Sequence, residues 1–514
     1  MAANQPLFPD ILRLNGRWLA DKPALIAPDT ALSWRALNRE ANRVAQGLIA
    51  AGCGQGARVG VLMRNGAAMT TAMLGAIKAG AIVVPLNPTI SDEAVNALLA
   101  DAGAAALIVS DEHAPRLAPD TLAAAHLRLI EGAYAPDWTA FADWRAAQSN
   151  AEPDIALGRD DVCNIIYSSG TTGEPKGIVH THGARMDWAH DLAHALRYDS
   201  AARTLIVTGL YSNISWVGLL CTLLLGGTLV VRPSFDAGDA LETIERERIT
   251  HTSMVPVQYQ RILEHPDFDR RNLGSMRAMM SCGSALPVRI KARLFERFPR
   301  GVIELYGTTE GAVTTLAPEE AEGRIASVGK PLPGADIRIL DADDSPLTHG
   351  EAGEIVARNR FVMAGYWNKP EASAEAFWRD EQGRPWLRTG DIGRLDEAGY
   401  LTITDRKKDV IISGGQNIYP ADIEAVFMRH PDVSDCAVIG APSAQWGETP
   451  LALAVFAAGA AIDERTLLDW VNAQLGRQQR VAAIERRETL PRNANGKVLK
   501  RELRASYWPA KEHA

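Results

Sequence analysis

The chain of 514 residues carries 54 Lys+Arg against 62 Asp+Glu, a formal net charge of −8, with 46% hydrophobic and 23% charged residues. Such a length exceeds what one hydrophobic core supports, about 250–300 residues, and the composition is too apolar for a disordered chain. The mild acidity provides no electrostatic footprint for nucleic acid or for an anionic membrane.

In chain order, residues 33–51 place Leu37, Ala41, Val44 and Leu48 on one face at helical spacing and end at Gly52, a residue free to take positive φ. Residues 58–63 read as a strand, 67–79 as a helix, 81–85 and 107–110 as further strands. This alternation predicts parallel sheets covered by helices. The apolar run 216–231 falls short of the ~20 residues of a spanning helix. Gly226 and Gly227 interrupt it, so a buried helix, a glycine turn and a short strand are expected. From about Ser327 the texture changes to short strands, 336–340 and 353–357, between Pro, Gly and Asp turns, which suggests an antiparallel or barrel-like region. After the charged run 405–409 come a glycine loop, a helix over 420–428, a strand over 436–440 and a compact tail. The five cysteines, Cys53, Cys163, Cys221, Cys282 and Cys436, show no CxxC or zinc-ribbon spacing and read as reduced, buried thiols. No secretory signal is visible at the N-terminus, which points to the cytoplasm.

The strongest chemical signal is the loop Tyr167-Ser168-Ser169-Gly170-Thr171-Thr172-Gly173-Glu174-Pro175-Lys176-Gly177, which leaves a buried strand at 162–167. Glycines permit tight turns, four hydroxyls offer donors, and Lys176 adds a cation, a set able to wrap an oligophosphate. It is not a Walker A loop, because Pro175 and Gly177 stand where that motif needs Gly and Ser/Thr.

With Tyr306-Gly307-Thr308-Thr309-Glu310, Arg388-Thr389-Gly390-Asp391, the run Asp405–Asp409 followed by Ser413-Gly414-Gly415-Gln416-Asn417, and Pro491-Arg492-Asn493-Ala494-Asn495-Gly496-Lys497, the chain resembles the adenylate-forming superfamily of acyl-CoA synthetases, luciferases and peptide-synthetase adenylation domains, over nearly its whole length. The resemblance implies an α/β fold: a large N-terminal domain, 1–407, of two βαβ-type subdomains plus a distorted β-barrel, and a small mobile α+β domain, 408–514. It also implies ATP, Mg²⁺ and CoA. Ser168, Ser169, Gly170, Thr171, Thr172, Gly173 and Lys176 would hold phosphates, and Gly283, Ser284, Gly307 and Thr308 would line the nucleotide and acid site. Tyr306 would stack on adenine, Thr309 bond the α-phosphate and Glu310 hold Mg²⁺. Asp391 would accept the ribose hydroxyls, with Arg406 assisting. Lys497 would offset the repulsion between carboxylate and α-phosphate. Lys408 would be the hinge that withdraws Lys497, after which Gly414, Gly415 and Trp446 would line the CoA channel.

For the acid, Met186, Trp188, Tyr211, Ser212 and Trp216 are the candidate walls of the acyl pocket. Amino-acid-activating relatives have an aspartate where Ser212 stands, so a buried ammonium would lack its carboxylate. Tyr211 occupies a place where many acyl-CoA synthetases have His. No Arg or Lys stands among these walls, so a dicarboxylate is disfavoured and an aromatic, neutral cavity is expected. An aryl or phenylpropenoic acid is then preferred over a medium-to-long aliphatic acid. Transfer to a carrier protein instead of CoA, a catalytically silent nucleotide-binding module, and the oligomeric state, a homodimer among the options, stay open. Gly52–Gly56 imitates a dinucleotide fingerprint but precedes a strand instead of following one. His180, His182, His190 and His194 lack the HExxH glutamate of a zinc site, and Cys282 lacks a partner His at motif spacing.

Overall fold

A computed structural model describes residues 5–133, 135–168, 176–298, 300–413, 416–443, 445–477, 479–492 and 496–508. The periodicity of residues 33–51 becomes the helix Trp34–Ala50, with Leu37, Ala41, Val44 and Leu48 fully buried. Ser33 caps it by accepting from the Ala36 amide, and Gly52 leaves it at φ +71°. The apolar run resolves into the helix Asn213–Leu225, Gly226 at φ +70° and the strand Thr228–Val231. A Cβ on Gly227 would stand 2.7 Å from the Ala202 carbonyl oxygen, so the turn has no room for a side chain. No helix among the described residues is long and apolar enough to cross a membrane.

The chain divides into two compact units. The first comprises Met1–Ile325, Gly329–Asp336 and Ala357–Leu387; the second comprises Ala326–Val328, Ile337–Val356 and Arg388–Ala514. In the first unit an eight-stranded and a nine-stranded sheet each have a parallel centre, with antiparallel strands at one edge of the former and at both edges of the latter. The eight-stranded sheet carries Val162–Ser168 beside Ile82–Pro85, and Lys176–Thr181 returns antiparallel to it. The nine-stranded sheet carries Ala278–Ser281 beside Val302–Gly307, so the Gly283 and Tyr306 segments leave neighbouring strands at the same end. That is where parallel sheets present ligand-binding loops.

The barrel-like region takes the form of a five-stranded sheet. Its long strand, Pro385–Leu395, pairs with Phe377–Arg379 along its first residues and with Leu401–Arg406 along its last. A second five-stranded sheet, built on the hairpin Val433–Ser443 and Gly447–Phe456, is flanked by the helices Pro420–Phe427, Glu464–Asn472 and Lys500–Ala505. Asp391 and Arg406 are partners in one ladder, and Glu354 receives both Arg388 and Lys407, which ties the 388–407 segment into the second unit. All five cysteines are free and buried.

Candidate active site

Tyr306 and Gly307 end the strand Val302–Gly307, and the chain then turns tightly: the Gly311 amide bonds the Thr308 carbonyl, and the Thr308 amide bonds that of Ala312. Gly311 sits at φ +130°, and a Cβ there would lie 2.8 Å from the Val362 Cα, so the turn closes only with glycine. Tyr306, Thr308, Thr309 and Glu310 are half-buried at its tip. The Tyr366 hydroxyl, 3.2 Å away, donates to Glu310 Oε1, and the Lys176 ammonium stands 4.8 Å over the Tyr366 ring. Burial and the Glu310 charge push the Tyr366 phenol up, so it stays a donor. No sequence motif marks Tyr366; it comes from a strand, Gly365–Tyr366, remote in sequence but paired with Lys176–Thr181.

The phosphate-loop candidates Ser169, Gly170, Thr171, Thr172 and Gly173, and the channel candidates Gly414 and Gly415, lie outside the described residues. Their flanks are described: Ser168 pairs with Lys176, and Ser413 with Gln416. Gly283 follows Ala278–Ser281 at φ +92°, where a Cβ would stand 2.7 Å from Ile214 Cδ1, and Ser284 beside it is half-buried. Cys282 is a buried thiol pushed up to about 12 by desolvation, which suits packing and not nucleophilic chemistry.

Among the acyl-pocket candidates, Met186, Trp188, Ser212 and Trp216 are buried and Tyr211 is half-buried. Ser212 is the N-cap of the helix Asn213–Leu225, its hydroxyl accepting from the Ile214 amide. Arg185, 1% exposed, lies 4.9 Å from the Trp188 ring and 4.8 Å from the Trp216 ring. The indole faces are thus engaged by a guanidinium, and the Trp216 Nε1–H donates to the Leu210 carbonyl. Burial lowers Arg185 to about 9, which leaves it cationic at neutral pH. Arginine on a helix normally turns outward, which is why the pattern of residues 182–195 does not disclose it.

In the second unit, Arg406 Nε stands 2.9 Å from Asp391 Oδ1, and the Asp391 side chain is nearly buried. Gly390 precedes it at φ +67°, and the Thr389 hydroxyl accepts from the Asp391 amide. Lys497 belongs to the same cluster. Burial first, then the Arg406 charge, lowers its ammonium to about 8, against the opposing pull of Asp391. Lys408 is lowered by burial and by Arg406, Arg501 and Arg504, and its carbonyl accepts from Arg504. Asp405 accepts from the amides of Arg406 and Ala421, binding the charged run to the start of the helix Pro420–Phe427. Trp446, 51% exposed beside Gly447 at φ +78°, is not a packing tryptophan.

Residues 15–367 match the model of the AMP-binding enzyme family, and residues 422–497 that of the AMP-binding enzyme C-terminal domain. The chain belongs to the adenylate-forming superfamily, in its acid–CoA ligase branch. It is 37% identical over 489 residues to a feruloyl-CoA synthase of Amycolatopsis sp, covering 93% of this chain and 94% of that protein. It is 32% identical over 511 residues to the long-chain-fatty-acid–CoA ligase FadD13 of Mycobacterium tuberculosis, covering 95% and 98%. The crystal structure of the anthranilate CoA ligase AuaEII in complex with anthranoyl-AMP superposes with a TM-score of 0.89 at 28% identity, covering 99% of each chain. The mixed α/β architecture expected from the motifs is that of this superfamily.

Proposed function

We propose that this AMP-forming acid–CoA ligase activates an aryl or phenylpropenoic monocarboxylic acid in the cytoplasm and transfers it to free CoA. In the first half-reaction a carboxylate oxygen of the acid bonds to the α-phosphorus of ATP and pyrophosphate leaves. In the second the CoA thiol gives up its proton, its sulfur bonds to the acyl carbon and AMP leaves. The observation that carries the reading is the charge cluster of Asp391, Arg406 and Lys497, which has the polarity needed for a ribose and a phosphate at once. The similarity to a feruloyl-CoA synthase favours an aromatic acid over an aliphatic one.

In this reading Tyr306 stacks on adenine and the Thr309 hydroxyl donates to the α-phosphate. Asp391 accepts from the ribose hydroxyls with Arg406 beside it. Lys497 neutralises the approach of two anions, and Lys408 is the hinge about which it is withdrawn. Trp446, exposed on its hairpin tip, meets the CoA chain. The Glu310 carboxylate, with one oxygen engaged by the Tyr366 hydroxyl among the described residues, suits a hard cation held by a single carboxylate and substrate phosphates. Mg²⁺ there would neutralise phosphate charge. The protein is incubated with ATP, CoA and a panel of aryl, phenylpropenoic and aliphatic acids, following AMP and thioester. Aromatic thioesters with one AMP each are expected. AMP with no acid overturns the enzyme reading, and thioester only on a phosphopantetheinylated carrier overturns the choice of CoA.

A further inference from the structure

A cation buried without a carboxylate is costly, and an apolar replacement of similar volume is often the more stable choice. Arg185 is such a cation: its described hydrogen bonds go to neutral groups. Its Nε donates to Asn164 Oδ1 at 2.8 Å, its Nη1 to Asn213 Oδ1 at 2.9 Å, and its Nη2 to His180 Nδ1 at 3.3 Å. Asn164, fully buried, turns its amide nitrogen to the same His180 Nδ1 at 3.4 Å. The other ring nitrogen, His180 Nε2, lies 2.8 Å from the Thr309 carbonyl oxygen.

Donor chemistry fixes the sense of this chain. A carbonyl oxygen only accepts, so His180 Nε2 carries the proton; a guanidinium only donates, so His180 Nδ1 is the acceptor. One tautomer of a neutral imidazole satisfies both ends. A protonated ring would turn an N–H against the Arg185 donors, and burial together with the Arg185 charge holds His180 well below its ordinary value. The Asn164 amide is oriented by the same requirement, its oxygen to Arg185 and its nitrogen to His180. The network therefore starts at the tryptophan pair of the acyl-pocket segment and ends on the backbone of the residue whose hydroxyl is assigned to the α-phosphate.

We propose that His180 and Arg185 are positioning residues for adenylation: the guanidinium holds His180 as its Nε2–H tautomer, and that N–H anchors the Thr309 carbonyl from a neighbouring sheet. The Thr309 tip otherwise stands beyond the end of its strand, in a turn closed by Thr308, Gly311 and Ala312. A donor from the strand Lys176–Thr181 fixes where the Thr309 hydroxyl stands relative to a phosphate. The inference rests on the adenylation reading for the role of Thr309.

The test uses the full chain and the acid turned over best by the unaltered protein. His180→Leu removes the donor, His180→Gln keeps one, and Arg185→Met replaces the cation by an apolar side chain. For each, pyrophosphate exchange gives kcat and KM for ATP, thioester formation from preformed acyl-adenylate and CoA isolates the second half-reaction, and thermal unfolding reports the fold. His180→Leu is expected to lower adenylation kcat by up to about 100-fold with KM for ATP and the second half-reaction unchanged. His180→Gln recovers most of that loss, and Arg185→Met reproduces much of it. Equal losses in both half-reactions, no recovery with Gln, unchanged exchange in a folded His180→Leu, or failure of both His180→Leu and Arg185→Met to fold would each overturn the proposal. Absence of exchange in the unaltered protein would instead overturn the adenylation reading itself.

Discussion

The two units hold their working charges in opposite ways. In the first, a lone guanidinium is sealed from water, resting on two indole faces and neutral acceptors, and it acts through an imidazole on a carbonyl. In the second, Arg406 faces a carboxylate, and Lys497 stands close enough to both to feel each charge. The first arrangement suits a group whose place must not change between turnovers, because a buried polar network is satisfied in only one geometry. The second suits groups that meet a charged substrate, since Arg406 is partly exposed and Lys497 half-buried beside the nearly buried Asp391. On the proposed reading, the buried network of the first unit fixes geometry and the Asp391, Arg406 and Lys497 cluster of the second meets the charge of the substrates.

That contrast breaks most visibly at Lys497. Lys497→Ala should lower adenylation by about 100- to 1,000-fold while thioester formation from preformed acyl-adenylate is kept, measured by the two half-reaction assays. Equal losses in both would make Lys497 structural. Asp391→Asn comes next: it removes the charge facing Arg406, and KM for ATP should rise about 10- to 100-fold with the acid KM unchanged, read from initial rates.

The pH dependence sharpens the comparison further. With Lys497 at about 8, kcat/KM for adenylation should fall roughly tenfold per unit above that pH. Lys497→Arg should move this limb to higher pH, while no limb from His180 crosses the neutral range. The lowered Lys497 also costs stability wherever both states are protonated. That cost lifts between pH about 8 and 10.5, because there the unfolded chain binds more protons. The smallest effect expected is at the exposed rim: Trp446→Ala should raise KM for CoA by about 2- to 10-fold and leave pyrophosphate exchange unchanged.

Much of this was legible beforehand because it depends on local pattern. The helix Trp34–Ala50 follows from apolar spacing and a serine cap, and the Asn213–Leu225 helix with its strand follows from a glycine pair inside an apolar run. The motif residues could be named because each motif is contiguous in sequence. What escaped depends on contacts between distant segments. Arg185 is one letter in an unremarkable helix until Trp188, Trp216 and His180 close round it. Tyr366 reaches Glu310 only through a two-residue edge strand. The ladder that joins Asp391 to Arg406 within the second unit is marked by no composition shift.

The five buried cysteines acquire a meaning from the chemistry around them. An enzyme that generates a mixed anhydride in the presence of a thiol co-substrate must keep its own thiols from competing for the acyl group. Cys163 and Cys282, both buried and pushed up to about 12 by desolvation, present almost no thiolate at neutral pH. Burial thus disfavours self-acylation, and thiol reagents are expected to label these cysteines slowly while the chain is folded.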